Sequence, residues 1–197
     1  MRKFGPQHAG IILVALVVAF VLPAYRSSGK AHAPQPTRIY DIAGCGPVRT
    51  DAAKLSQAQA NKTIVCLLNF ERSRHGLTSL VEVPALDLSS KRQSDDMVRR
   101  RYFEHVSPDG VTPQARIAAA GYVVRPGGVT GENIAWGEGI KGTPAEIVDA
   151  WMHSPGHREN ILRPQFSEVG MGLAVGNPPS HVKVTYSSGT YTTDFAG

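Results

Sequence analysis

The apolar pattern of this 197-residue chain changes period once, and that change limits the fold more than any single motif does. From Ala52 to His75 the pattern is helical, with Ile64, Leu67, Leu68 and Glu71 on one stripe and Gly76 as a stop. Pro84 to Arg101 reads as a second helix with Leu86, Leu88, Met97 and Val98 inward, Pro84 in its first turn and Arg99–Arg101 in its last. Thr112-Pro113 opens a short helix that Gly121 ends, and Thr143-Pro144-Ala145-Glu146 reads as a capping box for a helix carrying Trp151. Ser154-Pro155 restarts a last helix, closed by Pro164. Beyond it, 169–175, 182–186 and 190–195 are β-branched, aromatic or alternately small and apolar, and read as strands of a small antiparallel sheet. The stretch 125–142 is glycine-rich and reads as a loop. Helices first and strands last predict an α+β domain with helices packed on the sheet faces.

The N-terminus is of another kind. Arg2 and Lys3 precede an apolar run from Ala9 to Ala24, the pattern of an export signal. Both a cleaved signal and an uncleaved signal anchor fit residues 1–30, and either places the body outside the cytoplasm. Residues 31–54, with Pro34, Pro36, Gly44, Gly46 and Pro47, read as a flexible tether, which leaves 55–197 as the domain. Two cysteines, Cys45 and Cys66, in an exported chain predict one disulfide. No Cys-x-x-Cys occurs, which excludes a thioredoxin-like role.

The formal charge of +5 comes almost wholly from Arg2, Lys3, Arg26 and Lys30. The rest of the chain has 17 basic and 16 acidic residues and little electrostatic drive toward nucleic acid, so no nucleic-acid partner is expected. Membrane contact is expected only through the N-terminal segment. Arg99–Arg101 read as a solvated helix end.

Three polar segments stand out: Tyr102-Phe103-Glu104-His105-Val106-Ser107-Pro108-Asp109-Gly110, Gly131-Glu132-Asn133-Ile134, and Ser154-Pro155-Gly156-His157-Arg158-Glu159-Asn160-Ile161-Leu162. Supporting pieces are Cys66-Leu67-Leu68-Asn69-Phe70-Glu71-Arg72, Gly76-Leu77, Asp96-Met97, Gly121-Tyr122, Trp151 and Val169-Gly170-Met171-Gly172. In this order they resemble the CAP superfamily (cysteine-rich secretory protein, antigen 5 and pathogenesis-related 1 proteins), in its bacterial extracellular SCP-like branch. The resemblance covers roughly residues 64–195. It implies an α-β-α sandwich around a central antiparallel sheet and a cleft lined by two histidines and acids. His105, Glu132 and His157 match three cleft positions. The fourth, a glutamate three residues after the helix tryptophan in eukaryotic members, falls on Ser154, with Glu146 and Glu159 the acids nearest in sequence.

The residues themselves permit the same cleft chemistry. Two neutral imidazoles and a carboxylate suit a divalent metal such as zinc. The spacings match no local metal motif, and structural hydrogen bonding between loops is an equal reading. Asn133 and Asn160 suit the latter, as amides that satisfy loop backbone. Trp136 and Trp151 read as core residues, and His75, His153 and His181 as bystanders. No Gly-x-Ser-x-Gly occurs, and Ser107 and Ser154, both before proline, suit turns or caps better than nucleophiles. The expected function is an extracellular binding module with a His/Glu cleft open to a divalent metal and an unidentified lipid, peptide or cell-wall ligand. The alternatives are a sterol or fatty-acid carrier and a metal-dependent hydrolase.

Overall fold

In the computed structural model, which describes residues 40, 44–178 and 185–197, helix α1 runs from Gln57 to Arg74. The helix expected over 52–75 is split: Ala52–Lys54 is a short 3-10 turn, and Ser56 starts the helix proper. The Ser56 hydroxyl accepts from Gln59 N at 3.2 Å, and the Gln59 side chain accepts from Ser56 N at 2.9 Å. That reciprocal box makes a stronger start than the apolar period further upstream. Gly76, at φ +68°, turns the chain away after α1 as expected. Ile64, Leu67, Leu68 and Glu71 are all buried.

Helix α2 spans Pro84–Arg100. Leu86 and Met97 are buried, but Leu88 is 42% exposed and Val98 half-buried. The buried face carries Ser89, Ser90, Gln93 and Ser94 instead. The cause lies in strand β3, Glu168–Val175, whose Gly170 and Gly172 let the helix backbone lie directly on the strand. A Cβ at Gly170 would stand 2.0 Å from Leu86 C, and one at Gly172 2.2 Å from Lys91 N. Leucines do not fit such a contact. Serines fit, and two of them find partners there: Ser94 Oγ donates to Thr192 Oγ1 at 2.8 Å and Ser90 Oγ to Asp194 Oδ2 at 3.1 Å.

Helices α3 (Pro113–Ala119), α4 (Pro144–His153) and α5 (Pro155–Ile161) each begin on a proline. Thr143 does not make the expected capping box. Its hydroxyl donates to Ile140 O at 2.8 Å, because Thr143 also closes the 3-10 turn Gly139–Gly142. Glu146 is drawn to Arg49 at 3.3 Å instead of to the cap.

The sheet is built of β1 (Val81–Glu82), β2 (Thr130–Glu138), β3 and β4 (Ser188–Ala196), in the order β1-β3-β4-β2. The three long strands are antiparallel as expected, but the two-residue β1 runs parallel to β3, so the sheet is mixed. Strand β2 replaces the glycine-rich loop expected over 125–142. It pairs with β4 from Thr130↔Ala196 to Glu138↔Ser188, and its glycines admit neighbours close to the backbone: a Cβ at Gly131 would meet Asn160 Oδ1 at 2.9 Å. Residues 182–184 of the strand expected over 182–186 lie outside the described residues, and Thr185 and Tyr186 are not in a strand.

Val169, Met171, Leu173, Tyr191 and Phe195 face α1, Ile147, Val148 and Trp151 in the main core. The opposite face, with Gly170, Gly172, Thr192 and Asp194, lies under α2. The result is an α+β sandwich of helix, sheet and helix. Its described residues fall in one compact unit, Thr37–Gly197. Residues 44–54, read as the end of the tether, are part of that unit: Cys45, Val48 and Ala52 are buried, and Ala145 N donates to Val48 O at 2.9 Å. Cys45 and Cys66 form the expected disulfide. No helix among the described residues is long and apolar enough to cross a membrane, and the export segment over 1–30 lies outside them.

Candidate functional site

Strand β2 is an edge strand, and α3, α4 and α5 all pack against it. An open strand edge leaves backbone groups without partners, and here side chains supply them. Asn160 Nδ2 of α5 donates to Glu132 O at 3.2 Å and to Asn133 Oδ1 at 2.9 Å, and Trp151 Nε1 of α4 donates to Ile134 O at 3.2 Å. Asn133 Nδ2 in turn donates to His157 O at 3.0 Å. Both asparagines thus satisfy backbone, as their sequence context predicts. They also bring the Gly131–Ile134 and Arg158–Ile161 segments together.

Alternation along β2 sends the Glu132 side chain to the α2 side of the sheet, directly opposite Asp194. The carboxylate is buried, with both oxygens engaged. Oε1 lies 2.7 Å from His105 Nδ1, and Oε2 accepts from Arg116 Nη2 at 2.7 Å. The same Nη2 donates to His105 O at 2.8 Å, and Nη1 to Val111 O at 3.0 Å. One guanidinium therefore fixes both the acid and the backbone of the histidine. Arg116 was visible in the sequence only as a member of a short helix, and nothing local marks its reach across 16 residues to Glu132.

His105 is 47% exposed, with Nδ1 held by Glu132. His157, at the start of α5, reaches the same rim from the other layer. Burial, and then the charge of His105, hold its imidazole below the usual histidine range. It makes no direct hydrogen bond to Glu132 or His105. Beside it opens a pocket of about 270 Å³ lined by Phe103, Ile134, Trp136, Ala150, Ser154 and His157 among others. Trp151 is core, as expected, whereas Trp136 is half-exposed and walls this pocket.

His105 and Glu132 are thus joined and His157 is near, but the three are not arrayed around one point. Among the described residues no group of three His, Cys, Asp or Glu side chains is disposed to hold a metal ion. The arrangement as it stands does not fit a preformed zinc centre, since Glu132 would have to release Arg116 or His105. Neither Ser107, bonded to Asp109 at 2.6 Å, nor Ser154 is hydrogen-bonded to a histidine.

A family model described as "Cysteine-rich secretory protein family" matches residues 65–191. The chain belongs to the CAP family. The uncharacterized protein YkwD of Bacillus subtilis (strain 168) is 37% identical over 151 residues, which are 76% of this chain and 56% of that protein. The uncharacterized membrane protein YlbC of the same organism is 31% identical over 121 residues, 61% of this chain and 33% of that one. This CAP chain therefore spans about half and a third of the length of those relatives. Among solved structures, an extracellular protein containing a SCP domain from Bacillus anthracis superposes with a TM-score of 0.53 at 28% identity, over 72% of this chain and 43% of that one. An outer surface protein from Borrelia burgdorferi gives 0.56 at 19% identity, over 72% and 95%, a likeness of fold alone.

In this CAP domain the position of the eukaryotic glutamate is Ser154, and the acids nearest to it in sequence are differently placed. Glu146 is tied to Arg49, and Glu159 is exposed. Of the bystander histidines, His153 bonds Asp149 O at 2.8 Å, and His75 Nε2 accepts from Arg158 Nη2 at 3.2 Å. His181 lies outside the described residues.

Proposed function

We propose that the protein is an exported binding module whose ligand seats on the rim of β2. The ligand's apolar part would enter the pocket beside Phe103 and Trp136, and its polar part would meet His105 and His157. The observation that carries this reading is the state of Glu132. With one oxygen on His105 and the other on Arg116, the carboxylate is committed to holding the histidine in place. A histidine so oriented, and 47% exposed, presents one defined donor or acceptor to a ligand. Export is supported by Arg2-Lys3 with the apolar run, by the Cys45–Cys66 disulfide, and by the extracellular description of the Bacillus anthracis relative. The ligand class is a lipid, peptide or cell-wall component.

The test is to purify the exported protein and its His105→Ala/His157→Ala variant and to analyse bound lipids, peptides and saccharides by mass spectrometry. A compound held by the wild type and lost from the variant supports the cleft; identical contents in both overturn it.

Zinc is a second reading, favoured by the donor chemistry: two histidines lie near each other at this rim, and burial holds the His157 imidazole below the usual histidine range, which favours the neutral form a metal needs. A metal here would use both imidazoles while Glu132 stays with Arg116 and is not a ligand, so with only two protein ligands its affinity is expected to be weak. Calorimetric zinc titration near pH 7 and pH 5 tests this. Binding lost at the lower pH and in the double variant supports the site, and binding unchanged in the variant removes it.

A further inference from the structure

A second cavity, of about 500 Å³, shares Arg116 with the β2 cleft but not His105, Glu132 or His157. Its walls are the second half of α2 and the turn over 107–111, with four arginines against three aspartates. The acids are already served from within the protein. Asp109 accepts from Ser107 Oγ at 2.6 Å and Arg100 Nη1 at 3.1 Å. Asp96 accepts from Tyr102 Oη at 2.8 Å and pairs with Arg99 and Arg100, and Asp95 pairs with Lys91.

Among the described residues, two of the cations keep donors without partners. Arg92 meets only a carbonyl, Ala119 O, at 3.3 Å, and no acid. Arg116, with its side chain only 10% exposed, has a buried Nε without a hydrogen-bond partner. Complementing the end of α2 accounts for Arg99 and Arg100, because that field fades within the last turn. It does not account for Arg92, two turns earlier, or for Arg116 on another helix.

We propose that this cavity is a second binding site, for a small ligand whose oxyanion, carboxylate or phosphate, is held between Arg92 and Arg116. Guanidinium forks suit both anions. A volume of about 500 Å³ takes a small molecule and not merely a bare ion. Because Arg116 also holds Glu132, an anion drawn to its guanidinium loosens the support under His105, so occupancy here is felt at the cleft.

The test is an NMR and calorimetric titration of the full-length protein at constant ionic strength, with inorganic phosphate in one arm and N-acetylglycine in the other. Glycinamide, which lacks the anion, is the control. Saturable shifts at the Gly110 and Val111 amides are expected, together with a shift of the His105 ring signals. The arm that saturates at lower concentration identifies the anion. Arg92 is exposed, so Arg92→Gln should fold normally while weakening binding about tenfold or more. His157→Ala, a cleft variant that touches neither Arg116 nor Glu132, should leave the affinity unchanged, which separates this site from the cleft reading. Absence of saturation in both arms, or equal affinity in Arg92→Gln, overturns the proposal.

Discussion

Arg116 Nη2 lies 2.7 Å from Glu132 Oε2, and the two side chains are only 10% and 2% exposed. The pair is nearly out of water, so it cannot be judged as a surface ion pair. Removing one member leaves the other as a buried, uncompensated charge, which costs more than the pair itself contributes. Arg116→Met is therefore expected to destabilise the domain by ~3 kcal/mol in urea denaturation. Arg116→Met/Glu132→Gln should recover part of that loss. Additive losses would mean that the two side chains do not depend on each other.

The contact of α2 with β3 gives a second prediction. Gly172→Ala places a methyl group 2.2 Å from Lys91 N, where backbone meets backbone and no side chain can swing aside. A loss of about 3 kcal/mol is expected, at the upper end of overpacking costs. Alanine at Gly156, which has no atom within 4 Å of a Cβ, is the control and should behave as wild type. Equal thermal midpoints for the two variants would contradict the packing described here.

Asp194 sets a pH dependence. It is fully buried under α2, and burial, then the charge of Glu132, push its carboxyl up to about 8. Between about pH 4 and 8 the folded protein thus keeps a proton that the unfolded chain has released. This contribution to stability is fully present below pH 4 and is lost as pH rises through 8. Asp194→Asn cannot titrate, so its stability should fall less than that of the wild type between pH 5 and 8. Parallel pH profiles in chemical denaturation would show that Asp194 is ionised throughout.

The Cys45–Cys66 disulfide closes a 21-residue separation and ties the segment before α1 to that helix. Cys45→Ser/Cys66→Ser is expected to cost ~3 kcal/mol. Intact-mass measurement before and after reduction should differ by the mass of two hydrogen atoms, and two freely alkylated thiols in native protein would refute the bond.

The parts of the fold legible in the sequence were those set by short-range sterics. Pro84, Pro113, Pro144 and Pro155 mark helix starts because a fixed φ and a missing donor suit a first turn. Gly76 marks a stop because it takes a positive φ. His105, Glu132 and His157 were singled out through family likeness, and the structure joins the first two at 2.7 Å.

Tertiary structure decided the rest. Strand β2 looks like a loop until β4, more than fifty residues later, supplies its hydrogen bonds. Leu88 and Val98 look like core until the glycines of β3 admit the helix backbone and turn the serine face inward. Thr143 looks like a cap until the preceding turn takes its hydroxyl. Arg116 acquires its role only when α3 docks and brings Glu132 within reach. In most of these cases the deciding partner is far away in the chain. Local sequence limits which conformations a segment can take, whereas pairing register and burial choose among them, and these exist only once the layers have packed.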